Sequence, residues 1–243
     1  MPQPLPGHQP LPPAPYHDPL RVLERCTHLS KYLTMCARAR VQVNRLDEKT
    51  LMRCCEKGFI EELGSILEKR EQKRIKDPSY THAAVLIPLY KKEGECHILF
   101  TKRTQQVKHH KGQISFPGGV YDEEDRDFRR TALREAREEI GLNENDARII
   151  GALDDIVTVT GFIVTPFVGL IPYPYAFQLS EIEIEELIEV PLASLLDGHC
   201  FSERWIDDAG QKRLVYNYQY GEHAIWGATA LMLKQLLELL PSR

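Results

Sequence analysis

Arg134-Glu135-Ala136-Arg137-Glu138-Glu139-Ile140-Gly141-Leu142 is the stretch on which the reading of this chain turns. On a helix turning about 100° per residue, Glu135, Glu138 and Glu139 stand as i, i+3 and i+4 on one stripe. Phe128, Ala132, Leu133, Ala136 and Ile140 fall on the other side and would anchor the helix to a sheet. The helix is predicted from about Asp127 to Ile140, with Gly141 as its C-cap. Like charges so placed repel by about 0.2–0.5 kcal/mol per pair. Hard divalent cations with oxygen ligands offset that cost, and Mg²⁺ commonly takes one or two carboxylates together with substrate phosphates and water. A solvated acidic face with Arg partners is the competing explanation, since Arg134 lies one turn before Glu138.

Outward from the helix, the pattern alternates strands and turns. Ala83–Tyr90 and His97–Thr101 are apolar runs separated by Lys-Lys-Glu-Gly-Glu, which reads as a hairpin. Phe116-Pro117-Gly118-Gly119 reads as a tight turn. Further strands are expected at 148–158, 162–171, 185–190, 200–206 and 213–219, and a last helix from Trp226 to Leu240 stopped by Pro241. Strands interrupted by helices imply an α/β sandwich with a mixed sheet. Eight prolines among residues 1–19 predict an extended or disordered tail. Residues 20–78 read as a helical N-terminal extension, in which Glu68–Lys76 is a solvated helix end broken by Asp77-Pro78. The main domain is expected over 79–243.

Composition removes several classes. With 31 basic and 35 acidic residues the net charge is −4, so no basic field points to nucleic acid. The apolar runs are far shorter than the ~20 residues of a spanning helix, so no membrane partner is expected. Six cysteines without a Cys-x-x-Cys pair read as reduced thiols of an intracellular protein. The expected location is cytoplasmic. The Arg-rich, acid-poor stretch from Leu20 to Arg45 resembles an organelle presequence and leaves import open.

From Gly119 to Leu142 the residues resemble the Nudix box, the signature of the Nudix hydrolase superfamily, and its Arg-Glu-x-x-Glu-Glu-x-Gly-hydrophobic end is complete. One residue more than usual separates Gly119 from Arg134. The usual mid-box Glu is missing, with Glu123, Glu124 and Asp125 nearby. Upstream, Leu99-Phe100-Thr101-Lys102-Arg103-Thr104, Lys108, Gly112 and Phe116–Gly119 resemble the second signature of coenzyme A diphosphatases, with Phe100 for Leu, Thr104 for Ser and Lys108 for Arg. Lys108 keeps the charge but not the bidentate fork of an arginine. Thr160–Pro166, Glu183, Val190-Pro191-Leu192 and Ile225–Ala230 resemble later segments of the same branch, so the likeness runs from about Ala83 to Leu237.

The resemblance implies a Nudix-type α/β/α sandwich and Mg²⁺- or Mn²⁺-dependent hydrolysis of coenzyme A, or a derivative, to 3′,5′-ADP and 4′-phosphopantetheine. It implies Glu135, Glu138 and Glu139 as metal ligands. Glu138 and Glu183 are candidates for the general base, and Glu139 completes the catalytic set. Arg103, Lys108 and His110 belong to a basic run suited to the phosphates of a small nucleotide substrate. Gly118 and Gly119 would let backbone approach that substrate. Tyr216 and Tyr218 alternate on one strand and would either stack on adenine or pack internally. Two alternatives stay open: a hydrolase of another nucleoside diphosphate derivative (ADP-ribose, NADH, a dinucleoside polyphosphate, capped RNA), or a catalytically silent binding module.

Overall fold

Both faces of strand β1 (Thr81–Lys92) are covered, and this explains why its sequence is apolar at nearly every position. Ala83, Ile87 and Leu89 point into one hydrophobic cluster; Ala84, Leu86 and Tyr90 point into another. The computed structural model describes residues 58–106, 111–196, 198–208 and 211–241. The expected proline-rich tail, the first part of the extension, Lys108 and His110 lie outside them.

The Glu93-Gly94 turn returns the chain antiparallel into β2 (Glu95–Arg103), pairing Leu89 with Ile98 and Lys92 with Glu95. β3 (Ile114–Ser115) and β4 (Gly118–Val120) follow, and β4 pairs antiparallel with β1. After a 3₁₀ turn at Glu123–Asp125 comes α2 (Phe128–Ile140), numbered after the earlier α1 (Phe59–Lys69). β5 (Arg148–Ala152), β6 (Ile156–Val157) and β7 (Phe162–Leu170) then form. β7 lies parallel to β1, from Thr81 opposite Phe162 to Leu89 opposite Leu170. β8 (Ile184–Pro191) pairs antiparallel with β2 and leads into the short α3 (Leu192–Leu196). The main sheet is therefore mixed, with core order β3-β2-β1-β7-β5. A separate three-stranded sheet is built from β9 (Phe201–Asp208), β10 (Gln211–Tyr220) and β11 (His223–Trp226), before α4 (Gly227–Glu238).

Helix α2 covers one face of the main sheet through Ala132, Leu133, Ala136 and Ile140. Phe59, Leu63 and Leu67 of α1 and Met232, Leu233 and Leu236 of α4 cover the other. The result is the expected α/β/α sandwich. No helix among the described residues is long and apolar enough to cross a membrane.

Three local expectations are corrected, one strand is added and one open alternative is resolved. Only Glu68 and Lys69 of the Glu68–Lys76 stretch form the helix end: α1 stops at Lys69, and residues 70–76 become a strap along the loop after β5. Lys73 and Ile75 donate backbone N–H groups to Asp154 and Asp155 at 3.0 and 2.9 Å, and Arg70 pairs with Asp154. The same bonds explain why the strand expected at 148–158 breaks at Leu153–Asp155. Gly118-Gly119 is a strand rather than a turn. The four residues of β11 carry too little pattern to separate from the helix that follows. Tyr218 is buried and Tyr216 packs on Phe201, so internal packing, not adenine stacking, occupies this pair.

Helix α1 sits close to β5: a Cβ at Gly151 would come within 2.4 Å of Leu67 Cβ. Leu63 is fully buried in this layer. Leu63→Ala should lower the unfolding free energy by about 2–5 kcal/mol, read from the urea midpoint. A change below about 0.5 kcal/mol would show that α1 does not belong to the folding unit.

Candidate active site

Both ends of α2 are tied down, and this aims its acidic residues. At the start, the Asp127 side chain accepts from Arg130 N at 2.8 Å as an N-cap. At the end, Gly141 adopts φ 70°, a left-handed conformation that favours glycine. The last carbonyls are satisfied from outside the helix: Gln178 N donates to Ile140 O at 3.0 Å and Ser180 N to Glu139 O at 2.9 Å. That loop continues to Glu183, whose carbonyl accepts from Thr104 N at 2.8 Å, while Thr104 Oγ1 donates to Ile182 O at 2.6 Å. Arg103 and Glu183 are thereby brought to the end of the acidic helix.

The three glutamates are not equivalent. The Glu139 side chain is 2% exposed, Glu135 17% and Glu138 51%. Glu139 and Glu135 turn toward the Gly118-Gly119 strand, and Glu138 faces solvent. A Cβ at Gly119 would lie 2.4 Å from the Glu135 carboxyl carbon, and one at Gly118 would strike Ala84 O at 2.4 Å. Gly118 N donates to Glu139 Oε2 at 3.2 Å. In this structure Gly119 makes room for the Glu135 carboxylate and Gly118 for the backbone of β1, rather than for a substrate.

Two arginines hold the cluster. Arg103 Nη1 donates to Glu139 Oε1 at 3.0 Å and its Nη2 to Glu183 Oε2 at 3.4 Å. Arg134 grips Asp125 with both Nε (2.8 Å) and Nη2 (3.1 Å), and reaches Glu135 at 2.8 Å, Glu138 at 3.2 Å and Val120 O at 3.0 Å. Asp125 also accepts from Thr131 Oγ1 at 2.8 Å and Asp122 N at 3.1 Å. Residue pattern alone does not separate it from Glu123 and Glu124. Its signal was present in the missing mid-box Glu: this shorter acid is buried beside Arg134.

Electrostatics follow from the burial. Desolvation pushes the Glu139 carboxyl up to about 8, although Arg103 and the Gly118 N–H act in the opposite direction. Desolvation also raises Glu135, against the pull of Arg134. Glu183 adds like-charge repulsion to both. The hydrogen bonds from Arg134 lower Asp125 to about 2, and Asp125 in turn raises Arg134.

Among the described residues no three His, Cys, Asp or Glu side chains converge as a ready-made metal site. Glu135, Glu138 and Glu139 thus share a stripe without sharing a point, because Glu138 leans out to Arg134 and Glu139 is engaged by Arg103. The donor chemistry nevertheless fits a hard divalent cation. The set is all oxygen, and it holds two partly desolvated carboxylates whose mutual repulsion a cation would relieve. Glu183 is 46% exposed and lies at the mouth of the cluster beside Arg103.

Comparison with known proteins identifies the family. The family model described as NUDIX domain matches residues 80–195. A Photorhabdus laumondii protein named "Uncharacterized Nudix hydrolase NudL" is 37% identical over 166 residues, which covers 68% of this chain and 88% of that protein. A namesake from Enterobacter sp. strain 638 is 38% identical, covering 63% of this chain and 80% of its own. Among solved structures, an Ap4A hydrolase binary complex from C. elegans matches 46% of this chain and 80% of that one (21% identity, TM-score 0.39). The NUDIX domain of Shewanella oneidensis NrtR complexed with ADP ribose matches 50% of this chain and 81% of that one (19% identity, TM-score 0.41). With an identity of 37% sustained across most of the Photorhabdus protein, over the same residues that build the acidic helix and its glycine strand, the chain belongs to the Nudix hydrolase family.

Proposed function

We propose that this chain hydrolyses the diphosphate bond of coenzyme A or a derivative, with Mg²⁺ or Mn²⁺, releasing 3′,5′-ADP and 4′-phosphopantetheine. The observation that carries the reading is the Arg103–Glu139 ion pair at 3.0 Å. It joins the segment resembling the coenzyme A signature to the end of the Nudix box, 36 positions away in sequence.

In this reading Glu135 and Glu139, with Glu138, hold the cation, which supplies charge neutralisation at the diphosphate and a more acidic bound water. Arg103 is the phosphate clamp, swinging its planar fork from Glu139 and Glu183 to the substrate. Lys108 and His110 extend the basic approach toward the 3′-phosphate, and Gly118 and Gly119 leave room beside it. Water oxygen bonds to one phosphorus while the bridging P–O bond breaks, and the second phosphate leaves with the bridging oxygen. The water proton passes to a carboxylate; Glu183 and Glu138 are the candidates, both open to solvent and both ion-paired to an arginine.

Coenzyme A, ADP-ribose and NADH assayed side by side across a Mg²⁺ series should give the highest kcat/KM for coenzyme A. A preference for ADP-ribose overturns the substrate assignment. Glu139→Gln should cost roughly a thousandfold in kcat with the fold retained by circular dichroism; persisting activity removes Glu139 from the metal set. Stability provides a third check. A carboxyl at about 8 in the folded chain, against about 4.3 when unfolded, takes up a proton on folding between those two values. The metal-free protein should therefore lose stability as pH rises from about 4.5 through 8. Glu139→Gln should flatten that slope, and Mg²⁺ should raise Tm more at pH 8.5 than at pH 5.5. Asp125 works in the opposite sense: its stabilisation, present above about pH 4, is lost as pH falls through about 2.

A further inference from the structure

One cleft of the described structure stands apart from the carboxylates. It lies at the other end of α2, with a volume of about 610 Å³, and Arg74, His82 and Phe128 line it. A second cleft of about 470 Å³ shares Arg74 and Phe128 and adds Tyr121, Arg126, Arg129 and Phe167. Neither is lined by Arg103, Glu135, Glu138 or Glu139. Phe128 and Glu135 are seven residues apart, a rise of about 10 Å along the helix.

Three observations give this region the chemistry of a ligand site. Its floor is aromatic: Tyr121 meets Phe128 edge-on at 4.9 Å, and Phe128 stacks on His82 at 5.2 Å. Its rim is cationic. The Arg74 guanidinium lies 5.0 Å above Phe128 with its Nε held by Asp155 at 3.2 Å, and Arg126 and Arg129 are exposed and form no ion pair among the described residues. The two acids on the rim are committed locally, Asp127 to capping α2 and Asp77 to Ser79 at 2.9 and 2.6 Å. This positive rim sits on a chain of net charge −4. Finally, His82 Nδ1 is buried in the wall without a hydrogen-bond partner among the described residues, and a buried polar atom left so is costly.

Arg126 adds a further point. Its φ of 67° and ψ of −34° are strained for any residue with a Cβ, and glycine would adopt that φ freely. The position immediately follows Asp125, which Arg134 locks in place. The backbone is thus forced, and the arginine standing there presents its guanidinium at the cleft.

We propose that this double cleft binds a nucleotide, separately from the carboxylate site: a purine or pyrimidine ring on the Tyr121–Phe128–Phe167 floor, its phosphate at Arg126 and Arg129, and a hydrogen bond to His82. A planar ring matches the aromatic floor, a phosphate matches paired guanidinium groups, and the volume suits a small ligand. The assignment does not depend on which diphosphate the enzyme cleaves.

Titration calorimetry of the full chain without divalent cation, using AMP, adenosine and inorganic phosphate as separate probes, tests it. AMP should bind, and adenosine and phosphate should each bind at least tenfold more weakly. Combining Arg126→Gly with Arg129→Ala should weaken AMP at least tenfold while Tm stays the same or rises, since glycine relieves the strained φ. Combining Arg103→Ala with Glu139→Gln should leave AMP affinity within twofold. Absence of AMP binding overturns the proposal. So does affinity that survives loss of the two rim arginines, or affinity that vanishes with Arg103 and Glu139. Phosphate binding as tightly as AMP overturns the nucleotide assignment.

Discussion

Two carboxylates pressed under a glycine strand are the constraint to which the rest of the site answers. Glu139 is 2% exposed and Glu135 17%, and a Cβ at Gly119 would lie 2.4 Å from the Glu135 carboxyl carbon. Taking an ionised carboxylate out of water costs several kcal/mol unless it is paired and hydrogen-bonded. Arg103 and the Gly118 N–H supply that for Glu139, and Arg134 for Glu135. The pairing is incomplete, since burial keeps both acids raised from their ordinary values. That residual electrostatic deficit is what a divalent cation would correct.

The scaffold makes this arrangement rigid from both sides. Antiparallel pairing of β1 with β4 places Gly119 opposite Ala84 and Gly118 opposite Val85, and α2 packs across the same strands through Ala132 and Ala136. Small residues at those positions let helix and strand approach. Asp125 then fixes Arg134 by two hydrogen bonds, and Arg134 spreads over Glu135, Glu138 and Val120 O. At the far end, the Gln178–Glu183 loop caps the helix carbonyls and is hooked to Thr104. Thr104, next to Arg103, and the loop bearing Glu183 are thus one hydrogen-bonded unit.

Much of this was legible from the residues. The i, i+3, i+4 spacing of Glu135, Glu138 and Glu139 set a stripe; Asp127 and Gly141 bounded the helix; the β1–β2 hairpin followed from its apolar runs and central turn. The Arg134–Glu138 pair followed from one helical turn. What spacing could not convey is depth. A stripe about 100° wide has an edge that enters the sheet interface and an edge that meets water, and only packing against β4 decides that Glu139 lies on the first and Glu138 on the second. Asp125 escaped for a related reason: three acids stand in a row at 123–125, and the 3₁₀ turn alone determines which one faces Arg134.

The sequence by itself determined the local chemistry: an acidic helix with defined ends, a glycine pair upstream, basic residues before it, and strands apolar enough to be covered on both faces. These depend on residue type and on neighbours within one or two turns. The tertiary structure decided which of those groups meet. Arg103 reaches Glu139 only because β2 and β8 pair and the 180–183 loop folds back over them. Residues 70–75 leave the helical path because Asp154 and Asp155 offer acceptors about 80 positions later, and α1 joins the core because Gly151 lets Leu67 approach. Contacts of that range have no periodicity to read, since their energy comes from burial and pairing that exist only once the sheet has formed.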